Sequence, residues 1–510
     1  MRGWKMNVIL GLVLFVLASA SNANENLEEQ VKRLIAANKA LVERVAALEK
    51  IALESASEAK GERSIASKTE EEIAPEVFSS TNAVNKDSSL KRSRSRRFVG
   101  VNHEYSYAML DPTTNINRKQ ELLLKRKQAG EISSNSVILG GAVTAIANAQ
   151  RSDTDSKFGY LMRHPTSANQ IGKNAQEAVL HSVQLNLTAL MGDWVSAYAE
   201  ILYDPEQSFG AGTITALGRN QLQLRRGYVL IGDLERAPVY AAVGKMATPF
   251  GLTDTVNPFT GSTVWHAFGG LSYGARVGYI GDNLSISLMA AQGGSQFRAT
   301  QTSVRGTSVP SKLNNVVADL KYSFDLPSGN DDSLVLGGSY VRGTNYCQDF
   351  PIFHFTPCDN DNGAYALYGQ VNWGDWLVQG EFAKTLREWP GTMNPNPPLD
   401  IYSASKVTSF GFGARRNFYL MNIPSFVSAE FSRFDAGPDG APWENQDQWV
   451  LGFGSFLTPS VKLFGEYVHV KGFAPLNFLS GGTPGLPVGT TISEHGADSD
   501  IIILGVNAAF

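Results

Sequence analysis

DIIILGVNAAF (Asp500–Phe510) closes the sequence with the pattern of a β-strand. With a period of two, Ile502, Leu504, Val506, Ala508 and Phe510 share one face, while Ile503, Gly505, Asn507 and Ala509 share the other. A strand with one large apolar face and no polar tail needs an apolar surrounding, either a protein core or lipid. Composition favours lipid. The chain has 510 residues, 43% hydrophobic and only 18% charged, against about a quarter in ordinary soluble proteins. Yet no apolar run after residue 20 approaches the roughly 20 residues that a membrane helix requires. Apolar residues that alternate with polar ones along strands resolve the conflict, and that dyad repeat is the signature of an outer-membrane β-barrel. The net charge of -4 gives no argument for nucleic acid or another highly charged partner.

Working outward from that strand, the same texture runs back to Ser136. Alternating segments are expected at 136–149, 177–191, 194–203, 220–232, 238–247, 271–281, 284–293, 314–325, 333–344, 363–373, 375–386, 405–418, 425–435, 447–456, 459–469 and 499–510. These make about sixteen antiparallel strands, an even number as bacterial barrels require. Connections after even-numbered strands are short, such as Gly192-Asp193, Gly281-Asp282-Asn283, Gly374-Asp375 and Thr458-Pro459, and their residues suit tight turns. Those after odd-numbered strands are long. Short periplasmic turns alternating with long outer loops fit a barrel and not a soluble sandwich, and they put both termini in the periplasm. Trp194, Trp373, Trp376 and Trp449 fall at strand ends, where an interfacial girdle would lie.

Alternation also selects the lumen. Glu200, Arg276, Asp319, Lys321, Glu381, Arg415, Glu430 and Glu466 are expected to point inward, because a charge on the lipid face costs about 2–4 kcal/mol near the midplane. Either Arg225 or Arg226 points in, and a bulge would exchange them. Glu381, Arg415 and Glu430, on consecutive strands, suggest a lateral charge ladder. The plainer alternative is that these charges only neutralise one another in the wall. The loop TPFGLTDTVNPFTGSTVWHAFGG (248–270) is the best candidate for one that folds inward and narrows the channel, with Asp254, Asn257, Trp265 and His266 as its contacts. Packing on neighbouring outer loops is the competing reading.

The first residues form a secretory signal: Arg2 and Lys5, an apolar stretch from Val8 to Leu17, and Ala18-Ser19-Ala20 as a cleavage site, giving residues 1–20. Residues 25–54 read as an α-helical coiled coil. Leu27, Leu34, Leu41 and Leu48 recur every seven residues, with Val31, Asn38 and Val45 at the companion seam positions. The seam predicts a homo-oligomer; flanking Ile35, Val42 and Ile51 lean towards a trimer over a dimer. Residues 55–135 read as a polar linker, with a basic run at 91–98 and one short helix over 117–128. The only cysteines, Cys347 and Cys358, fall in one expected outer loop of an exported chain and read as a disulfide. Metal binding with His354 is the weaker alternative. No Gly-x-Ser-x-Gly elbow, paired-His helix or phosphate-binding loop is present, so no enzyme is expected.

Signal peptide, coiled coil, polar linker and a barrel carrying VGKMATPFGLTDTVNPFTG (243–261) and ending in Phe510 together resemble the siderophore porin family, the barrels like the legiobactin receptor. GKMATPFGLTD (244–254) is also similar to a motif of phosphate-selective porins, which carry N-terminal coiled coils and form trimers. The first resemblance implies ferric-siderophore uptake across the outer membrane without an N-terminal plug domain, with no cofactor and with iron only as cargo. Arg276, Lys321 and Arg415 would serve as counter-charges. The terminal aromatic resembles the signal read by the barrel-assembly machinery. A general or anion-preferring diffusion porin is the second expectation, and a tether from outer membrane to cell wall the third.

Overall fold

The computed structural model describes residues 98–155, 172–203, 222–292, 294–295, 301–302, 313–327, 332–347, 360–474 and 487–510. The signal peptide, the coiled coil with its seam (Leu27, Val31, Leu34, Asn38, Leu41, Val45, Leu48), the basic run up to Arg97, His354 and Cys358 lie outside the described residues.

Sixteen antiparallel strands close on themselves. They are β1 (Ser136–Ser152), β2 (Asn174–Met191), β3 (Val195–Tyr203), β4 (Leu222–Gly232), β5 (Val239–Ala247), β6 (Leu271–Ile280), β7 (Leu284–Ala291), β8 (Asn315–Asp325), β9 (Ser333–Val341), β10 (Ala364–Trp373), β11 (Trp376–Thr385), β12 (Thr408–Leu420), β13 (Ile423–Asp435), β14 (Asn445–Thr458), β15 (Val461–Phe473) and β16 (Glu494–Ala509). Each pairs with its sequence neighbour, and β16 pairs back on β1 from Ser499↔Ser152 to Ala509↔Ala142. The closing strand is therefore the alternating C-terminal segment that contains Ile502, Leu504 and Val506. Phe510 continues the ladder, exchanging two 2.9 Å backbone hydrogen bonds with Gly141. A Cβ at Gly141 would sit 2.5 Å from the Phe510 ring, so only glycine admits that close approach.

Closure satisfies every strand edge, the condition for surviving in hydrocarbon. The outward face is apolar: Ile502 and Leu504 are 57% and 62% exposed, while Ile501 and Ile503 are fully buried inside. Trp373, Trp376, Trp194 and Trp449 are exposed near strand ends, as an interfacial girdle requires. Among the described residues no helix is long and apolar enough to cross a membrane. The protein is thus an outer-membrane β-barrel. The expected alternation holds throughout, with short connections after even-numbered strands and long ones after odd-numbered strands.

The expectation of a linker up to residue 135 fails from residue 98 onward. Val99–Gly100 pairs in parallel with Val137–Ile138 of β1. Helices α1 (His103–Leu110) and α2 (Lys119–Gln128) follow. Asn102 caps α1 by accepting the Tyr105 N–H. Glu121 in the first turn of α2 and Lys125, Arg126 and Lys127 in its last turn complement the helix dipole. Tyr105, Met109, Leu123 and Leu124 are buried in one cluster with Tyr198, Tyr228 and Leu230 of the wall. The segment 98–135 is therefore a plug seated in the lumen, contrary to the plugless architecture the family resemblance implies. Its charged residues hid it: Lys119, Gln120 and Glu121 are themselves buried, Lys119 on the plug's own carbonyls of Ala108, Asp111 and Thr114, Gln120 against Arg276 and Glu121 against Lys321 of the wall.

Candidate functional site

The loop 248–270 also turns inward. Burying a loop demands partners for its backbone polar groups, and one arc of the wall supplies them. Glu381 of β11 accepts the N–H groups of Leu252 (2.8 Å) and Thr253 (3.1 Å). Glu430 of β13 accepts the Thr255 hydroxyl at 2.9 Å and the Asn257 amide at 3.1 Å. Glu466 of β15 accepts the N–H groups of Phe259 (2.8 Å) and Thr260 (2.9 Å), and the Thr260 hydroxyl. Carbonyls are met by cations and amides: Arg415 Nε donates to Val256 O at 2.7 Å, Lys462 Nζ to Pro258 O at 2.7 Å and Gln379 Nε2 to Asp254 O at 2.8 Å. The expected ladder of Glu381, Arg415 and Glu430 is therefore absent; each side chain holds the loop instead. Their registers explain it, since Glu381 lies opposite Gly411 and Arg415 opposite Ser428.

The loop residues singled out from the sequence are packed, not lining an open passage. Asn257 is fully buried and takes a hydrogen bond from Ser428 as well. Trp265 and His266 lie in the short helix α3 (Thr263–Phe268), both buried, with Trp265 clustered with Phe259, Val468 and Ile501. Asp254 Oδ1 accepts the Ile116 N–H of the plug at 3.1 Å. Burial raises the Asp254 carboxyl, against the pull of Arg118.

The opposite arc meets the plug with cations. A bulge after Glu200 of β3 pairs Glu200 with Arg226 and Ile201 with Leu224, leaving Arg225 between them. Both arginines then reach the buried Glu200, Arg226 at 2.8 Å and Arg225 at 3.7 Å. Arg226 NH2 also reaches Ile116 O at 3.5 Å. Two strands on, Arg276 of β6 donates to Asn117 O (3.1 Å) and to Gln120 Oε1 (3.3 Å), and is held by Ser287 at 2.8 Å. Two strands further, Lys321 of β8 pairs with Glu121 at 3.1 Å. Burial opposes the Glu121 charge, but Lys321 and Lys125 outweigh it and hold the carboxyl well below the usual range. Lys119, buried against Arg226, is lowered to about 8. The plug also grips the loop: Asn117 Nδ2 donates to Phe250 O and Gly251 O, and Arg118 to Gly251 O and Leu252 O, while Arg118 also donates to the Tyr368 hydroxyl of β10. A cavity of about 20 Å³, room for about one water, remains between Ile116, Asn117, Arg226 and Thr253.

Alternation in the sequence found the inward wall residues. It missed Asn117, Arg118 and Glu121, whose only signal was the apolar triplet Leu122–Leu124 inside a charged helix. It also missed Lys462, which shares its strand face with the named Glu466. Cys347 stands beside the buried Tyr346 on β9's loop; its expected partner Cys358 lies outside the described residues.

No family model matches the sequence, and no curated relative does either. Among solved structures, the chain is similar to an anion-selective porin from Comamonas acidovorans, with 14% identity, TM-score 0.45, and 74% of this chain and 99% of that chain covered. It is similar to the high-pH form of OprB from Pseudomonas putida, with 10% identity, TM-score 0.44, and 78% and 99% covered. OpdL from Pseudomonas aeruginosa gives 12% identity, TM-score 0.37, and 73% and 98% covered. The barrel assignment rests on the closed hydrogen-bond ladder itself.

Proposed function

We propose that this barrel is an outer-membrane uptake channel whose cargo is a ferric siderophore. The observation that carries the reading is a closed, lipid-faced barrel with a charged interior that a folded N-terminal segment and an inward loop fill together. A filled lumen suits a selective carrier of a bulky solute more than free diffusion of small ones. Arg415 is committed to loop carbonyls, so the counter-charges of the cargo narrow to Arg225, Arg226, Arg276 and Lys321. Iron enters only as cargo. Assembly as a trimer through residues 25–54, and a Cys347–Cys358 disulfide in the rim, belong to the same proposal. The test is uptake of radiolabelled iron, with and without added siderophore, in a deletion strain and its complement. Siderophore-dependent uptake restored by the complement supports the reading, and equal uptake in both strains rejects it.

The cationic arc also favours a second reading, an anion-preferring diffusion channel. Chloride-over-potassium selectivity in planar bilayers, with no iron phenotype, would establish that one instead.

A further inference from the structure

Around the wall, cations on alternate strands meet successive acceptors of one short stretch of the plug. Arg226 of β4 faces the Ile116 carbonyl, Arg276 of β6 the Asn117 carbonyl, and Lys321 of β8 the Glu121 carboxylate. These three grip residues 116–121 alongside the Tyr368 hydroxyl, which accepts from Arg118 at 2.9 Å, and Asp319, which lies 3.8 Å from Arg118. We propose that the Arg226–Arg276–Lys321 track is a binding site for a carboxylate-bearing solute, and that Glu121 and its neighbouring carbonyls occupy it as a stand-in for that solute. The inference deepens the uptake reading and rests on it, because it names the chemistry of the cargo and how the cargo enters.

Three observations support the assignment. The acceptors are the kind a polycarboxylate would offer: one ionised carboxylate on Lys321 and two polarised oxygens on guanidinium groups, which favour planar oxygen pairs. The wall retains unused capacity at the same place, since the Nε groups of the buried Arg226 and Arg276 have no hydrogen-bond partner. With Arg225, Arg226, Arg276 and Lys321 set against Glu200 and Asp319, four cations face two carboxylates, so the arc stripped of its plug carries a net charge of +2. An anionic solute and the plug therefore compete for the same donors, and displacement of one admits the other. Occupancy follows mass action: solute binds the plug-free state and raises its population.

The full-length mature protein in planar bilayers tests this with citrate as the probe. Glu121→Gln removes the stand-in charge but keeps the wall; open time is expected to rise about tenfold, the scale of one charge-assisted hydrogen bond, and citrate to block those openings strongly. Lys321→Gln removes the shared cation; openings are expected to rise similarly, with citrate block about tenfold weaker than in Glu121→Gln. The opposite effects on block separate a shared site from general loosening. Variants no more open than the unaltered chain, or equally sensitive to citrate, overturn the inference. Iron uptake in cells by the unaltered chain is read separately: if it persists the uptake reading stands without this site, and if it is absent that reading itself fails.

Discussion

The two arcs of the lumen hold their contents by opposite chemistry. From β11 to β15 the wall is dominated by Glu381, Glu430 and Glu466, and it grips the N–H groups of a loop tied to the barrel at both ends. From β4 to β8 it presents Arg226, Arg276 and Lys321, and it grips oxygens of a plug that runs on into β1. The acidic arc engages the amides of Leu252, Thr253, Phe259 and Thr260, the hydroxyls of Thr255 and Thr260, and the intervening Arg415 and Lys462. The basic arc leaves two guanidinium Nε groups idle. A loop closed at both ends and met along its length by wall side chains is part of the barrel, whereas the plug, seated by an apolar cluster as well as by charge, is the filling proposed to exchange.

Substitutions that strike the acidic arc should cost most. Glu466→Ala strands two buried amides and a hydroxyl, so unfolding from lipid vesicles in urea is expected to lose about 3–5 kcal/mol; a loss below about 1 kcal/mol would make the acidic grip unimportant. The outer face sets an independent scale. Leu504→Arg places a charge in lipid and is expected to cost about 2–4 kcal/mol in the same assay, against little if that face were solvated. Gly251 holds a left-handed φ of +71°, and a Cβ there would lie 2.0 Å from Glu381 Oε1. Gly251→Ala is therefore expected to cost about 1–3 kcal/mol through backbone strain and a displaced carboxylate, with a wider, noisier conductance in bilayers. On the basic arc, Arg276→Gln removes a buried charge whose partners can leave with the plug. It is expected to change barrel stability by less than about 1 kcal/mol while opening the channel; a stability loss matching Glu466→Ala would erase the distinction between the arcs.

The barrel was legible because its signals are local. Period-two alternation and Gly-Asp turns are written within each strand and each turn, so β16 and its closure could be read from Ile502, Leu504 and Phe510 alone. Alternation also turned Glu381, Glu430 and Glu466 inward. It could not say what they face, because their partners lie more than a hundred residues away in sequence. The plug was illegible for a related reason. Gln120 and Glu121 look like a solvated helix surface until Arg276 and Lys321, brought close only by the closed sheet, stand opposite. A helix buried against charges carries no apolar stripe for the sequence to display.

Backbone amide exchange of the full-length protein in lipid nanodiscs, with and without citrate, tests the contrast between the two fillings most directly. Peptides covering 252–261 should stay protected in both conditions, while those covering 112–122 should lose protection when citrate is added. Equal protection of both regions throughout, or their joint loss, would contradict a fixed loop beside an exchangeable plug.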